Sequence, residues 1–397
     1  MNVYFDNAAS TRVRDEAIEI MQSVMRENYG NPSSMHAFGR SAKNYLETAR
    51  KNLSDSIKTK PENIYFTSGG TEANNWAIQG AASKLDRKGR HIITSAIEHS
   101  AVLDPIKKLE SQGWEVTYLS PGPSGSVPVK AFTDALRDDT VFASVMLVNN
   151  ETGAINPVNE YSNTIKQKGL KTILHTDAIQ ALCKIPFTVN SLGADLITLS
   201  SHKLHGPKGA GALFIGNSIK LTPLILGGNH EKGNRGGTEA FPAIVGFGEA
   251  VKLGVSEFDS TFAYIEDLHK YTINLLEKEI PEAIILLANE SSENITPESK
   301  EQTLFKTHYS PFILPISLPG YKSEVLMNYL DGEGICVSRS AACKKGARSR
   351  TLEAMKLSNN IIDGALRVSF SRYSTKEEAD YFVKILKAAS KSLQKTR

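Results

Sequence analysis

Cysteine is scarce in this chain, with three residues in 397: Cys183, Cys336 and Cys343. Three cannot build a disulfide framework, so the fold is expected to rest on a hydrophobic core in a reducing, cytoplasmic setting. Charge of one sign is lacking too. The 46 Lys and Arg against 43 Asp and Glu leave a formal net charge of +3, which gives nucleic acid or an acidic membrane little to bind. No apolar run approaches the roughly 18–20 residues that a bilayer span needs, so no membrane partner is expected. Met1 to Asp6 has neither the basic start nor the apolar stretch of a signal peptide. Internal repeats and low-complexity tracts are missing as well. In such a protein a free thiol is either packing or chemistry.

What is present is patterned. From about residue 60 to 215, apolar runs alternate with segments of helical spacing, the signature of an α/β unit with a mainly parallel sheet. The runs are 63–67, 91–94, 115–119, 141–148, 172–175, 195–199 and 211–215, with helical segments such as 72–85 and 100–112 between them. After residue 258 the character shifts to a helical stretch (262–276), a polar segment (289–300), two further strand-like runs (311–318 and 334–338) and a helical tail from Lys376. The length suits one large domain and a smaller one. The expected division is residues 15–257 for the large α/β domain. Residues 1–14 and 258–397 then form a smaller α+β domain.

Polar residues that follow the strands fall on the edge where an open parallel sheet binds ligands. The first group is Ser68-Gly69-Gly70-Thr71-Glu72. Its glycines let the backbone approach an anion, and the helix that follows offers unpaired N–H groups; an ordinary glycine turn with Thr71 as helix cap fits equally well. Asp177, after the run ending at His175, needs a cation or hydrogen bonds if buried. A protonated pyridine nitrogen would be such a cation, although a helix-capping aspartate is as common. In Ser200-Ser201-His202-Lys203 a lysine follows a strongly apolar strand. A desolvated lysine loses its proton readily and becomes a Schiff-base nucleophile, whereas a lysine in a glycine-rich loop is ordinarily a surface residue; Lys208 competes in the same loop. His99 and Asn150 end two more strands and could face the same place, or be a structural histidine and a turn residue. Five polar groups at successive strand ends argue for one site.

These residues, in this order, closely resemble the class V aminotransferase family, and within it the cysteine desulfurases of the NifS/IscS type. The resemblance runs nearly end to end, from Tyr4-Phe5-Asp6-Asn7-Ala8-Ala9 through Glu98-His99, Asn149-Asn150-Glu151 and Asp177-Ala178-Ile179-Gln180 to Arg235-Gly236-Gly237-Thr238. It implies a pyridoxal 5'-phosphate (PLP) enzyme of fold type I. Lys203 would carry the cofactor and move the substrate Cα proton. Asp177 would hold the pyridine nitrogen, Gln180 the phenolic oxygen, and His99 would stack on the ring. Gly70, Thr71, Ser200 and His202 would hold the phosphate, and Thr238 would reach the phosphate site of a neighbouring subunit, which implies a homodimer. Asn150 would touch cofactor and substrate, and Arg367 would clamp the substrate carboxylate. No metal is implied.

Cys343 selects among PLP reactions. It stands in Ser338-Arg339-Ser340-Ala341-Ala342-Cys343-Lys344-Lys345, with Arg348 and Arg350 just beyond. Nearby positive charge raises the thiolate fraction of a cysteine. The implied reaction takes sulfur from L-cysteine onto Cys343, releases L-alanine, and passes the sulfur to an acceptor protein, an iron–sulfur scaffold or a tRNA-thiolation enzyme. An aminotransferase, a selenocysteine lyase and a catalytically silent sulfur carrier are the alternatives. The family usually has Gly-Ser-Ala-Cys where this chain has Ser340-Ala341-Ala342-Cys343, so a stiffer segment is expected. Cys336 and Cys183 are expected to be packing residues.

Overall fold

The computed structural model describes residues 1–85, 89–286, 308–339 and 348–395. Its first strand, β1 (Val3–Tyr4), is short. The main sheet follows, with β2 (Ile64–Thr67), β3 (His91–Ser95), β4 (Glu115–Leu119), β5 (Thr140–Ser144), β6 (Ile173–Asp177), β7 (Leu196–Ser200) and β8 (Gly211–Ile215). They lie in the order β2-β8-β7-β6-β5-β3-β4. All pairs from β7 to β4 are parallel. Only β8 runs against its neighbours β7 and β2. The C-terminal ends of six strands therefore share one edge, and β8 starts from it.

Burial explains why these runs read as continuous apolar stretches. Every residue of β3, β5, β7 and β8 is buried, because helices cover both faces of the sheet. Trp76, Ala77 and Ile106 belong to the core on one face; Leu53, Ile197, Leu199 and Phe247 belong to the core on the other. The run expected at 141–148 ends as a strand at Ser144, and the run expected to stop at His175 continues to Asp177. Asp177 is thus part of its strand rather than a helix cap.

A second sheet is built from β9 (Ile284–Ile285), β10 (Ile313–Ser317), β12 (Ser338–Arg339) and β13 (Ala365–Ser369), in the order β12-β13-β10-β9. The strand β11 (Ile335–Cys336) pairs in parallel with β1. The core of this region combines Val3 and Phe5 with residues from Ile265 to Ala389. The polar segment 289–300 lies outside the described residues. Helices Phe241–Ser256 and Phe258–Glu279 meet at Glu257, whose carboxylate accepts from both Arg14 and Arg372. No helix among the described residues is long and apolar enough to cross a membrane.

One buried ion pair sets the outer end of the main sheet. Arg50, 4% exposed, donates to both carboxylate oxygens of Glu231 at 2.8 Å, and Glu231 also accepts from the Phe66 N–H. Glu231→Ala would leave the buried guanidinium with only Glu47 and the Ile64 carbonyl as partners among the described residues and should lower the unfolding free energy by about 3 kcal/mol. An exposed pair such as Lys130–Asp134 should cost about 1 kcal/mol at most. Chemical denaturation of the two variants compares them directly.

Candidate functional site

The chain reaches the common strand edge in three layers. The first is the hairpin connection from β7 to β8, residues 201–210. Its single turn Ser201–Lys203 presents Lys203 at the rim. Close quarters shape the connection, since a Cβ on Gly206 would come within 2.1 Å of Ser201 Oγ. His205 takes a left-handed φ of 68°. The second layer is the N-terminal segment, which threads between this turn and β13. Ala8 N–H donates to Ser369 Oγ at 2.9 Å, and Thr11 N–H donates to the His202 carbonyl at 3.0 Å. The third is the set of turns after β6, β3 and β5.

Lys203 Nζ donates to the carbonyls of Ala8 and Ala9, both at 2.7 Å. Burial, reinforced by Arg367, pushes its amine down to about 8, against the pull of Asp6 and Asp177. The Ala8 carbonyl also accepts from Gln180 Nε2 at 2.9 Å, so the amine and the amide converge on one oxygen. Asp177 is buried; its oxygens accept from Asn74 Nδ2 at 2.7 Å and from the Ile179 N–H at 3.0 Å. Burial raises its carboxyl, while these two donors, His99 and Lys203 oppose the rise. A buried carboxylate with only neutral donors in contact is a ready seat for a cation. His99 caps the helix Ser100–Ser111, its Nδ1 accepting from the Ala101 N–H at 3.1 Å. Burial holds the imidazole below its ordinary value, and Lys203 and Arg350 reinforce this against Asp177. The neutral ring then carries its proton on Nε2.

Around Gly70 there is room for nothing larger. A Cβ there would lie 2.1 Å from Ile179 Cδ1 and 3.6 Å from Ser200 Cβ. This places the start of the helix Gly70–Leu85 against the end of β7, and the buried Ser200 Oγ has no hydrogen-bond partner among the described residues. Thr71 is exposed on the first turn of that helix. His202 faces Ser10 Oγ across 3.3 Å, and burial together with Lys203, Lys208 and Lys184 pushes it down to about 4. Thr238 is exposed and lines a small cavity with Thr67, Ser68 and Arg235. Arg235 is held by both oxygens of Glu72 at 2.8 and 3.1 Å.

Arg367 is 2% exposed on β13. It donates to Asp6 at 2.9 Å and to the Asn150 carbonyl at 3.0 Å, while its buried Nε has no partner among the described residues. The expected clamp is thus already bound to a carboxylate of its own chain through one nitrogen. Asn150 meets it through its backbone.

Cys343, with Ser340, Ala341, Ala342, Lys344 and Lys345, lies outside the described residues. Of the basic neighbours expected to acidify it, Arg339 pairs with Glu324 and Arg348 with Asp363, so carboxylates already balance two of the charges. Arg350 donates instead to the Glu98 carbonyl at 3.1 Å, next to His99. Ser349 and Thr351 both donate to Glu151, which ties the chain just beyond residue 347 to the turn bearing Asn150. Cys183 packs as expected, and burial pushes its thiol up to about 12. Cys336 does not. It is exposed, because β11 is only two residues long and its burial alternates.

Sequence reasoning missed several participants. The carbonyls of Ala8 and Ala9 carry no side-chain signal. Asp6 stood in the N-terminal motif without a role, and Glu98 stood beside His99. Buried Glu98 accepts from Ser95 Oγ at 2.5 Å and the Met146 N–H at 2.8 Å and is pushed up to about 8 by burial, so it is largely protonated at neutral pH.

Comparison with known proteins gives a consistent picture. Residues 3–382 match the family described as aminotransferase class-V. A relative from Dictyoglomus turgidum, named cysteine desulfurase IscS, is 38% identical over 394 residues, spanning 99% of this chain and 95% of the relative. A solved structure described as a NifS-like protein has a TM-score of 0.90 at 35% identity, covering 99% of this chain and all of the other. Another, SspA in complex with cysteine, has a TM-score of 0.76 at 31% identity, over 94% of this chain and 100% of that one.

Proposed function

This chain belongs to the class V aminotransferase family, and from that premise we propose that it is a PLP-dependent cysteine desulfurase. The observation that carries the reading is the juxtaposition of Lys203, its amine lowered to about 8, with the buried Asp177 at the neighbouring strand end. The unpartnered Ser200 Oγ and the tight seat at Gly70 support a fit to the cofactor's phosphate. The buried carboxylate of Asp177 supports a fit to its pyridine nitrogen. When bound, PLP supplies an aldehyde that condenses with amines and a ring that takes up electrons from the Cα of the amino acid.

The rest falls to the protein. Asp177 would hold the pyridine nitrogen, Gln180 would donate to the phenolic oxygen, and His99 would cover the ring. Gly70, Thr71, Ser200 and His202 would hold the phosphate. Lys203 takes the Cα proton of L-cysteine and returns protons to carbon. Arg367 and Asn150 orient the substrate carboxylate; the free Arg367 Nε supports this, with Asp6 as the partner that must share the guanidinium. The Cys343 thiolate attacks the substrate sulfur, the sulfur–Cβ bond breaks, and its electron pair stays on carbon and is protonated. Alanine and a cysteine persulfide are the balanced products.

The chain acts as a homodimer in which Thr238 serves the neighbouring site. Exposed Tyr29, Met35, Phe38 and Leu226 support such an interface. It divides into residues 15–257 and residues 1–14 with 258–397, and works in the reducing cytoplasm, passing sulfur to an iron–sulfur scaffold or a tRNA-thiolation enzyme. The test is direct. Purified protein given PLP, L-cysteine and a thiol reductant should release alanine and sulfide in equal amounts. Formation of a keto acid instead would make it an aminotransferase.

A further inference from the structure

Lys184 follows the PLP-site residues in an irregular turn and is itself buried, 6% exposed. The turn is closed by Leu182 N–H to the Ala178 carbonyl and Lys184 N–H to the Ala181 carbonyl. Cys183 interrupts it with a left-handed φ of 58°. The result brings residues 180 and 184 side by side, and Lys184 Nζ donates to Gln180 Oε1 at 3.2 Å. The ring of Phe312 lies 5.9 Å from the nitrogen. No carboxylate lies within 4 Å of it among the described residues. Burial, with Lys203 and Arg367 adding to it, pushes Lys184 down to about 7.

A buried lysine without a counter-ion is costly, and an apolar side chain of similar length would pack at least as well. Its position points to a job. The Gln180 amide has two orientations. A protonated lysine only donates and a backbone carbonyl only accepts, so just one orientation of the amide satisfies both Lys184 Nζ and the Ala8 carbonyl. In that orientation Nε2 faces the carbonyl that also holds Lys203 Nζ. A hydrogen-bonded chain thus runs from Lys184 through Gln180 and Ala8 to Lys203.

We propose that Lys184 is a positioning residue that locks the Gln180 amide with its N–H₂ toward the cofactor's phenolic oxygen. The inference rests on the reading of Gln180 given above. The neutral amine can still donate, and the Ala8 carbonyl, which only accepts, then keeps the amide in the same orientation. Lys184→Met removes the donor on the Oε1 side and leaves the Ala8 carbonyl alone to orient the amide.

The experiment is a double-mutant cycle on PLP affinity, measured by absorbance titration of apoprotein, with the position of the bound-cofactor band as a second readout. Lys184→Met should bind PLP about five- to tenfold more weakly, the effect of losing one oriented hydrogen bond, and should shift the band. Gln180→Ala should do the same, and adding Lys184→Met to Gln180→Ala should change affinity by less than about twofold. The Lys184→Met apoprotein should melt no lower than wild type. Unchanged affinity and band in Lys184→Met, full additivity in the double variant, or a lowered apoprotein melting temperature would each overturn the inference. Wild-type protein that takes up no PLP would instead sink the proposed function.

Discussion

Replacing Cys343 by serine should cut alanine and sulfide formation from L-cysteine by more than about 10³-fold. The bound-cofactor absorbance, and its change on adding cysteine, should persist. The reason is chemical. Sulfur transfer needs a thiolate, and a serine hydroxyl is neither ionised near neutral pH nor a good nucleophile toward sulfur. The other two thiols are poor substitutes: burial pushes Cys183 up to about 12, and the exposed Cys336 is raised by partial desolvation and by Asp331 and Asp6. Ordinary turnover in Cys343→Ser would move the sulfur acceptor elsewhere.

Lys203→Ala should have an effect of comparable size, by a different route. The variant should still bind PLP through Asp177 and the phosphate seat, but borohydride should no longer fix it to the protein. Turnover should fall by about 10²–10⁴-fold or more, since the group that moves the Cα proton is gone. The wild-type lysine also sets a pH dependence. An amine whose value has dropped from 10.5 to about 8 is neutral, and nucleophilic, above about 8. Uptake of PLP by apoprotein should therefore quicken about tenfold per pH unit below 8 and level off above it. A flat profile from pH 6 to 9 would remove the depressed amine from the account.

The strand-edge residues were legible because a parallel sheet leaves few choices. Apolar runs end, and the next polar side chains must project from one edge. Asp177 and Lys203 could be found in this way, and so could Gly70 and Ser200, which the fold presses together; Gln180 came only from the family resemblance. Strand direction could not: β8 reads as another buried apolar run, and only the short connection 201–210 hints that it turns back. The Ala8 and Ala9 carbonyls were invisible because backbone groups leave no mark in a sequence. Two arginines near Cys343 looked like thiolate activators in sequence; Glu324 and Asp363, fifteen residues from them along the chain, claim them in space. Lys184 looked unremarkable for the same reason, since its burial depends on Phe312 arriving from the second sheet.

The most direct measurement is a single turnover without an acceptor. Enzyme carrying PLP, given one equivalent of L-cysteine, should yield close to one alanine per site and one extra sulfur atom on the peptide containing Cys343. Sulfur on the Cys183 or Cys336 peptide, or cysteine carbon recovered as a keto acid, would contradict the account.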